Sequence, residues 1–287
     1  MKYEVLELND ESRKQLSGEF IELSNGHVHY EIKGSEQAET IVLVHGFSSP
    51  MFVWDNTFNF LVEEGFRVLR YDLYGRGYSD RPKIKYDYNL FIQQLYELLG
   101  KFNISKFNLI GLSMGGGISV AFTDRYPNRI KRLVMVAPIG LPTETPIYPY
   151  ILRIPLLNRI IAQIFGHKRI LDTQRRDFIS YDDIDDYIAK FARQLNYKGY
   201  LQALCSTLVN TSFTGLSKSF ERVGQLNIPT QLFWGENDPV IPYSTSEKTC
   251  NLIPSTKFHT IKKCGHMPQY THPNEVNPLM LDFLRNS

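Results

Sequence analysis

Short apolar, β-branched runs alternate along this chain with stretches whose apolar residues recur at helical spacing. Thr40-Ile41-Val42-Leu43-Val44 is apolar almost throughout, as a strand buried on both faces of a parallel sheet must be. Similar runs cover residues 66–71, 107–110, 132–136, 230–234 and 257–261. Residues 19–23 and 27–32 flank Ser24-Asn25-Gly26. An Asn-Gly pair suits a tight hairpin, so these two segments predict antiparallel strands at a sheet edge. Phe91, Leu95, Leu98, Leu99 and Phe102 make one stripe of a helix that Asp87 can cap. Further helices are predicted from Ser113 to Tyr126, from near Ser244 to before Pro254, and from Glu275 to Leu284. The sum is an α/β protein: an eight-stranded, mostly parallel sheet with helices on both faces.

The rhythm breaks between Leu141 and Leu226, where helical periodicity continues without a convincing strand. A stretch this long and this apolar is no loop. Residues 141–225 therefore predict a helical insertion, with residues 1–140 and 226–287 forming the α/β domain. The insertion opens with a basic stretch containing Arg153, Arg159, Lys168, Arg169, Arg175 and Arg176, and continues with an acidic one from Asp177 to Asp186.

Composition narrows the class. Apolar residues at 43% and charged residues at 22% are ordinary globular usage and exclude a disordered chain. A net charge of +2 gives no overall pull towards nucleic acid. Cys205, Cys250 and Cys264 are few and lack C-x-x-C spacing, which disfavours a disulfide framework or zinc cluster and suits a reducing compartment. The acidic start, Met1 to Glu11, does not read as a secretory signal, and the most apolar stretch, Ile147 to Phe165, is interrupted by Arg153, Pro155 and Arg159. A soluble, cytoplasmic protein is the expectation.

The sharpest chemical signal is Gly111-Leu112-Ser113-Met114-Gly115, a G-x-S-x-G between a predicted strand and a predicted helix. A nucleophile on such a turn sits in a crowded, strained conformation, and glycines two before and two after leave it room. Alone, the pentapeptide could be a glycine-rich packing turn; its placement favours a nucleophile. Serine needs a base held by a third group. Asp238 follows the seventh predicted strand and His266 the eighth, and the ends of parallel strands converge on one rim. In that reading His266 takes the proton of Ser113 while Asp238 fixes its tautomer. Glu236 and Asp72 are rival acids, the first before the turn apex and the second after an earlier strand. His45-Gly46-Phe47 closes the third strand, where the amides of Phe47 and Met114 would form an oxyanion hole. His45 reads as a structural histidine bonding nearby backbone rather than as a second base, and His27, His29 and His259 also read as structural. Cys264 lies two residues before His266, near enough for a thiol reagent to affect activity.

These segments resemble the α/β-hydrolase superfamily, and Asp72-Leu73-Tyr74-Gly75-Arg76-Gly77-Tyr78-Ser79 resembles its D-x-x-G-x-G-x-S segment. The resemblance implies structural roles for Asp72 and Arg76, and it puts residues 141–225 in the place of the family's cap. Serine at 113 disfavours dehalogenases and soluble epoxide hydrolases, which carry aspartate there, and Leu112-Ser113-Met114 departs from the G-G-S-W-G of proline iminopeptidases. Leu112 and Phe47-Ser48-Ser49-Pro50 also depart from the pattern of meta-cleavage-product hydrolases, so carbon–carbon bond hydrolysis is the second reading. The segment is most similar to bacterial carboxylesterases and monoacylglycerol-lipase-like enzymes. That implies a small ester or acylglycerol substrate, an acyl-enzyme on Ser113, and no metal or organic cofactor. A non-catalytic ligand receptor on the same fold is the third reading, disfavoured because Ser113, Asp238 and His266 are all kept. For the apolar, arginine-dotted start of the insertion, packing on the body with snorkelling arginines is favoured over a lid touching anionic lipid.

Overall fold

The computed structural model describes residues 3–144, 154–178 and 184–286, with residues 155–165 described as helical backbone only. Its strands are β1 (Glu19–Leu23), β2 (Gly26–Lys33), β3 (Thr40–Val44), β4 (Arg67–Tyr71), β5 (Phe107–Leu112), β6 (Ile130–Val136), β7 (Thr230–Gly235) and β8 (Thr256–Ile261). They form one sheet in the order β1-β2-β4-β3-β5-β6-β7-β8. Only β2 runs against its neighbours; β3 to β8 pair in parallel. The hairpin thus sits at the sheet edge, as its Asn-Gly turn predicts.

The helices are α1 (Asp10–Arg13), α2 (Asp55–Glu63), α3 (Tyr88–Lys101), α4 (Met114–Arg125), α5 (Pro155–Arg176), α6 (Ile184–Gln194), α7 (Tyr200–Asn210), α8 (Ser217–Gly224), α9 (Thr245–Leu252), α10 (Pro268–Thr271) and α11 (Pro273–Asn286). Asp87 caps α3 through the amide of Leu90. Sequence spacing passes over α2, whose apolar face is Phe58 and Leu61.

Strand alternation divides the core. Val42, Val44, Leu109, Met135 and Trp234 face α3, α4 and Phe220 of α8. Ile41, Leu43, Ile110, Val134 and Phe233 face Phe58 of α2 and Met280 and Phe283 of α11. Successive side chains on a strand point to opposite faces, so a continuous apolar run in β3 feeds both cores. Helices α5 to α8 all lie between β6 and β7, where a helical insertion is predicted. Phe178, Tyr187, Phe191 and Tyr200 from this segment join the second core. Tyr148, Tyr150 and Arg153 of its apolar, basic opening and Asp182 and Asp183 of the acidic run fall outside the described residues. Among the described residues no helix is long and apolar enough to cross a membrane.

Candidate active site

The turn from β5 into α4 holds Ser113 in a strained, nearly buried position. Ser113 has φ +54° and ψ −115°, a conformation that a serine holds only when its surroundings fix it. Its amide donates to Val136 O at 2.8 Å, and its carbonyl accepts from Gly117 N at 3.1 Å and Ile139 N at 3.0 Å. The flanking glycines are required by space. A Cβ on Gly111 would lie 2.3 Å from Gly115 O, and one on Gly115 would lie 2.2 Å from Val44 O. The start of α4 follows Ser113 at once, so the unpaired amides of its first turn and their partial positive charge lie beside the hydroxyl.

Asp238 and His266 stand beyond the ends of β7 and β8. Asp238 Oδ1 accepts the amides of Val240 at 2.8 Å and Ile241 at 3.0 Å, and Oδ2 accepts from His266 Nδ1 at 2.7 Å. Its side chain is 0% exposed and that of His266 6%. Because Nδ1 donates to the carboxylate, Nε2 keeps its lone pair in the neutral ring. Burial opposes the imidazolium, but the charge and hydrogen bond of Asp238, with the charge of Asp177, outweigh it and raise the His266 pKa above 6.5. The side chain of His266 bonds Asp238, and no hydrogen bond joins Ser113 Oγ to its Nε2. Of the rival acids, Glu236 is exposed and Asp72 is committed to His29.

The end of β3 supplies the facing wall. A Cβ on Gly46 would be 3.4 Å from Ser113 Cβ, so this loop passes directly against Ser113. His45 is wholly buried; its Nδ1 donates to Gly46 O at 2.9 Å and its Nε2 accepts the amide of Leu73 at 2.8 Å. Desolvation holds its pKa down at about 4, so the ring is neutral and serves backbone, as expected of a structural histidine. The Gly46 carbonyl and the Phe47 amide belong to one planar peptide group, so fixing the oxygen fixes the direction of the Phe47 N–H. Arg76, 0% exposed, donates to the Phe47 carbonyl at 2.8 Å. Asp72 accepts from His29 Nδ1 at 2.6 Å and from the amides of Met51 at 2.8 Å and Tyr78 at 2.9 Å, so both family-implied structural residues shape the loops around the site.

Sequence reasoning passed over the contribution of the β6–β7 helices. Gln174 of α5 and Tyr187 of α6 both bond Ser49, and Gln194 and Tyr200 both donate to Ser48 O at 3.1 Å. Asp177, just past α5, is 8% exposed, and its carbonyl accepts the His266 amide at 3.3 Å. Desolvation pushes its carboxyl up to about 7, the Asp238 charge adding to the rise and the His266 and Arg176 charges opposing it. One expectation is corrected. Cys264 is 0% exposed and burial raises its thiol to about 11, so its proximity to His266 does not make it open to a thiol reagent.

A family model described as serine aminopeptidase, S33, matches residues 35–270. A 2-hydroxy-6-oxononadienedioate/2-hydroxy-6-oxononatrienedioate hydrolase of Pseudomonas putida is 29% identical over 286 residues, covering 93% of this chain and 96% of the relative. The hydrolase of the same name from Escherichia coli K12 is 30% identical over 262 residues, covering 86% and 87%. Among solved structures, a thermophilic esterase from Thermogutta terrifontis superposes with a TM-score of 0.79 at 21% identity, covering 93% and 98%, a likeness of fold. Joined to the parallel sheet and the strained serine turn, these matches identify the chain as a hydrolase of the α/β-hydrolase superfamily, within the family described as serine aminopeptidase, S33.

Proposed function

We propose that the chain hydrolyses carboxylic esters through an acyl-enzyme on Ser113, with His266 as general base and acid and Asp238 as the carboxylate that orients it. The observation that carries this reading is the His266 Nδ1–Asp238 Oδ2 bond of 2.7 Å at the same strand-end rim as the strained Ser113. His266 Nε2 accepts the serine proton as Oγ attacks the ester carbonyl. The oxyanion is received by the amides of Phe47 and Met114, one such donor contributing roughly 3 kcal/mol to transition-state stabilisation. The imidazolium, stabilised by Asp238, then protonates the leaving alcohol, and the neutral ring activates water to release the acid. Residues 141–225 act as a cap over this rim, a reading supported by the bonds from Gln174, Gln194 and Tyr200 to Ser48 and Ser49.

A second reading, hydrolysis of a carbon–carbon bond on the same triad, is favoured by the curated relatives named for a 2-hydroxy-6-oxo dienedioate. The ester reading is favoured by Leu112 and by Phe47-Ser48-Ser49-Pro50, which depart from the pattern of meta-cleavage-product hydrolases. Turnover of p-nitrophenyl esters and monoacylglycerols, set against an oxo-dienedioate, separates the two. Ser113→Ala should abolish ester turnover, a loss on the order of 10³-fold or more, and end labelling by a fluorophosphonate with the melting temperature nearly unchanged. Undiminished labelling of that variant would put the nucleophile elsewhere.

The exposed Lys168, Arg169 and Arg176 favour at most a weak contact with an anionic surface, since Arg175 is paired with Asp185 at 2.9 Å. Absence of co-sedimentation with anionic vesicles at low salt would end that idea.

A further inference from the structure

Gln174 stands at the last turn of α5 and is 3% exposed. Its amide is used on every side. Nε2 donates to Ser48 Oγ and to Asp177 Oδ2, both at 3.2 Å. Oε1 faces the hydroxyls of Ser49 at 2.8 Å and Tyr187 at 2.6 Å. Two donor hydrogens and two acceptor positions are all that a carboxamide has, so this side chain is saturated. The contacts lead in two directions. Ser48 and Ser49 directly follow Phe47, whose amide faces the nucleophile in the ester reading. Asp177 leads to the other side of the site, its carbonyl accepting the backbone amide of His266 at 3.3 Å. Four residues at the end of α5 thus span the gap between the loop after β3 and the loop after β8.

An apolar side chain at 174 alone would leave the Asp177 carboxyl and the hydroxyls of Ser48, Ser49 and Tyr187 short of a partner, whereas apolar residues at all of these positions would pack without that cost. The polar cluster is therefore placed where fixed geometry matters more than stability, on the two loops whose relative position decides whether base and oxyanion donors meet one substrate. A misplacement of about 1 Å there can cost about a hundredfold in rate.

We propose that Gln174 and Asp177 are positioning residues that lock the oxyanion loop and the His266 loop into one arrangement from the end of α5. The inference rests on the reading of Ser113, His266 and Asp238 as the triad. It makes the seating of the β6–β7 helices a condition for turnover in addition to their role as a cap. Asp177 has a second, electrostatic effect. The charged and titratable groups around it are His266, Asp238, its neighbour Arg176 and Tyr187 of α6. Of these, His266 responds to it: the ionised carboxyl favours the imidazolium and so holds the base protonated to higher pH.

The test is the rate at which a fluorophosphonate labels Ser113 between pH 5 and 9, read beside kcat and KM for p-nitrophenyl butyrate. The panel is the wild type, Gln174→Met, Asp177→Asn and Arg175→Ala, the last a neighbour whose exposed ion pair with Asp185 lies outside the cluster. Gln174→Met keeps length and removes every hydrogen bond; labelling and kcat should fall together by roughly ten- to a hundredfold, with KM changed less than about twofold. Asp177→Asn keeps an oxygen for Gln174 to bond and removes the charge, so the acid limb of the labelling profile should move to lower pH. Arg175→Ala should match the wild type throughout. Wild-type rates in Gln174→Met would overturn the proposal, and an unmoved pH profile in Asp177→Asn would strike out the electrostatic effect given to Asp177. If Gln174→Met does not fold, Ser49→Ala, which takes one hydroxyl out of the cluster, decides: a wild-type labelling rate in it would overturn the proposal. A wild-type chain that takes no label at Ser113 defeats the triad reading first and the inference with it, an outcome distinct from equal labelling across the panel.

Discussion

The sheet with its strand-end loops and the helical segment between β6 and β7 meet at one rim but are organised by different rules. In the sheet, position follows from the chain's local geometry. A strand end, a glycine and a helix start place Ser113 with a fixed φ of +54°, and the Asp238 carboxylate is held by amides two and three residues on. In the helical segment, position follows from contacts far away in sequence. Gln174 meets Ser48 and Ser49 across about 125 residues of chain, and Gln194 meets Ser48 across 146. The lesson is that chemistry on this fold is specified locally, whereas what holds that chemistry in register comes from residues with no local signature.

The largest effect that tests this division is at Asp238. Asp238→Asn keeps the shape and offers His266 Nδ1 a neutral amide, which neither selects the Nδ1–H tautomer nor stabilises an imidazolium. In the ester reading, kcat should drop by about 10⁴-fold with little change in KM. A much smaller loss would mean that another carboxyl serves the ring, and Asp177, coupled to the same imidazole, is the first to examine by the double substitution.

In the ester reading a middle-sized effect is expected at His45, which belongs to the sheet and would act through the Phe47 amide, a donor it does not itself supply. His45→Leu removes the bond to Gly46 O and the acceptor for the Leu73 amide. The peptide carrying the Phe47 N–H then loses its orientation, and kcat should fall by about 10²–10³-fold, the cost of one oxyanion donor. The pH profile should keep its shape, because the His45 ring, held down at about 4, is neutral throughout the working range. A profile that lost a limb would instead mean that His45 exchanges protons in the reaction.

These two tests also mark what could be read in advance. Strands such as β3 are legible because a fully buried parallel strand is apolar at nearly every position, β1 and β2 because an Asn-Gly turn joins them, and Ser113 because its turn needs Gly111 and Gly115 for lack of space. Asp238 and His266 were legible only through their order after particular strands. Helix α2 was not, since Phe58 and Leu61 with a short 3₁₀ turn before them give too weak a period. Asp177 was read as one more member of an acidic run. Nothing in the sequence separates it from Asp185 or Asp186, which are exposed; its burial exists only once α5 lies against the His266 loop. Cys264 illustrates the opposite error, nearness in sequence taken for access when the chain folds the thiol inward.

The smallest effect lies at the sheet's far edge, where His29 ties the strand hairpin to Asp72. Its Nδ1 meets Asp72 Oδ2 at 2.6 Å and its Nε2 meets the carbonyl of Ser17 at 2.7 Å. Both partners only accept, so both ring nitrogens carry protons and the ring is an imidazolium. Burial opposes that charge, but the hydrogen bond and charge of Asp72, helped by the Ser17 carbonyl and Glu31, prevail and raise the pKa above 6.5. A raised histidine contributes stability that is fully present below its unfolded value and is lost as pH climbs through the folded value. The melting temperature should therefore decline as pH rises above 6.5, and His29→Gln should lower it near pH 6 while flattening that decline. Hydrogen bonds to charged groups contribute roughly 1.5–3 kcal/mol each, which bounds the cost of the substitution. Activity per folded molecule should barely change, because Asp72 keeps the amides of Met51 and Tyr78 without His29. If turnover fell as far as in His45→Leu, the hairpin edge would be part of the catalytic framework, and the boundary drawn between locally specified chemistry and its distant supports would have to move.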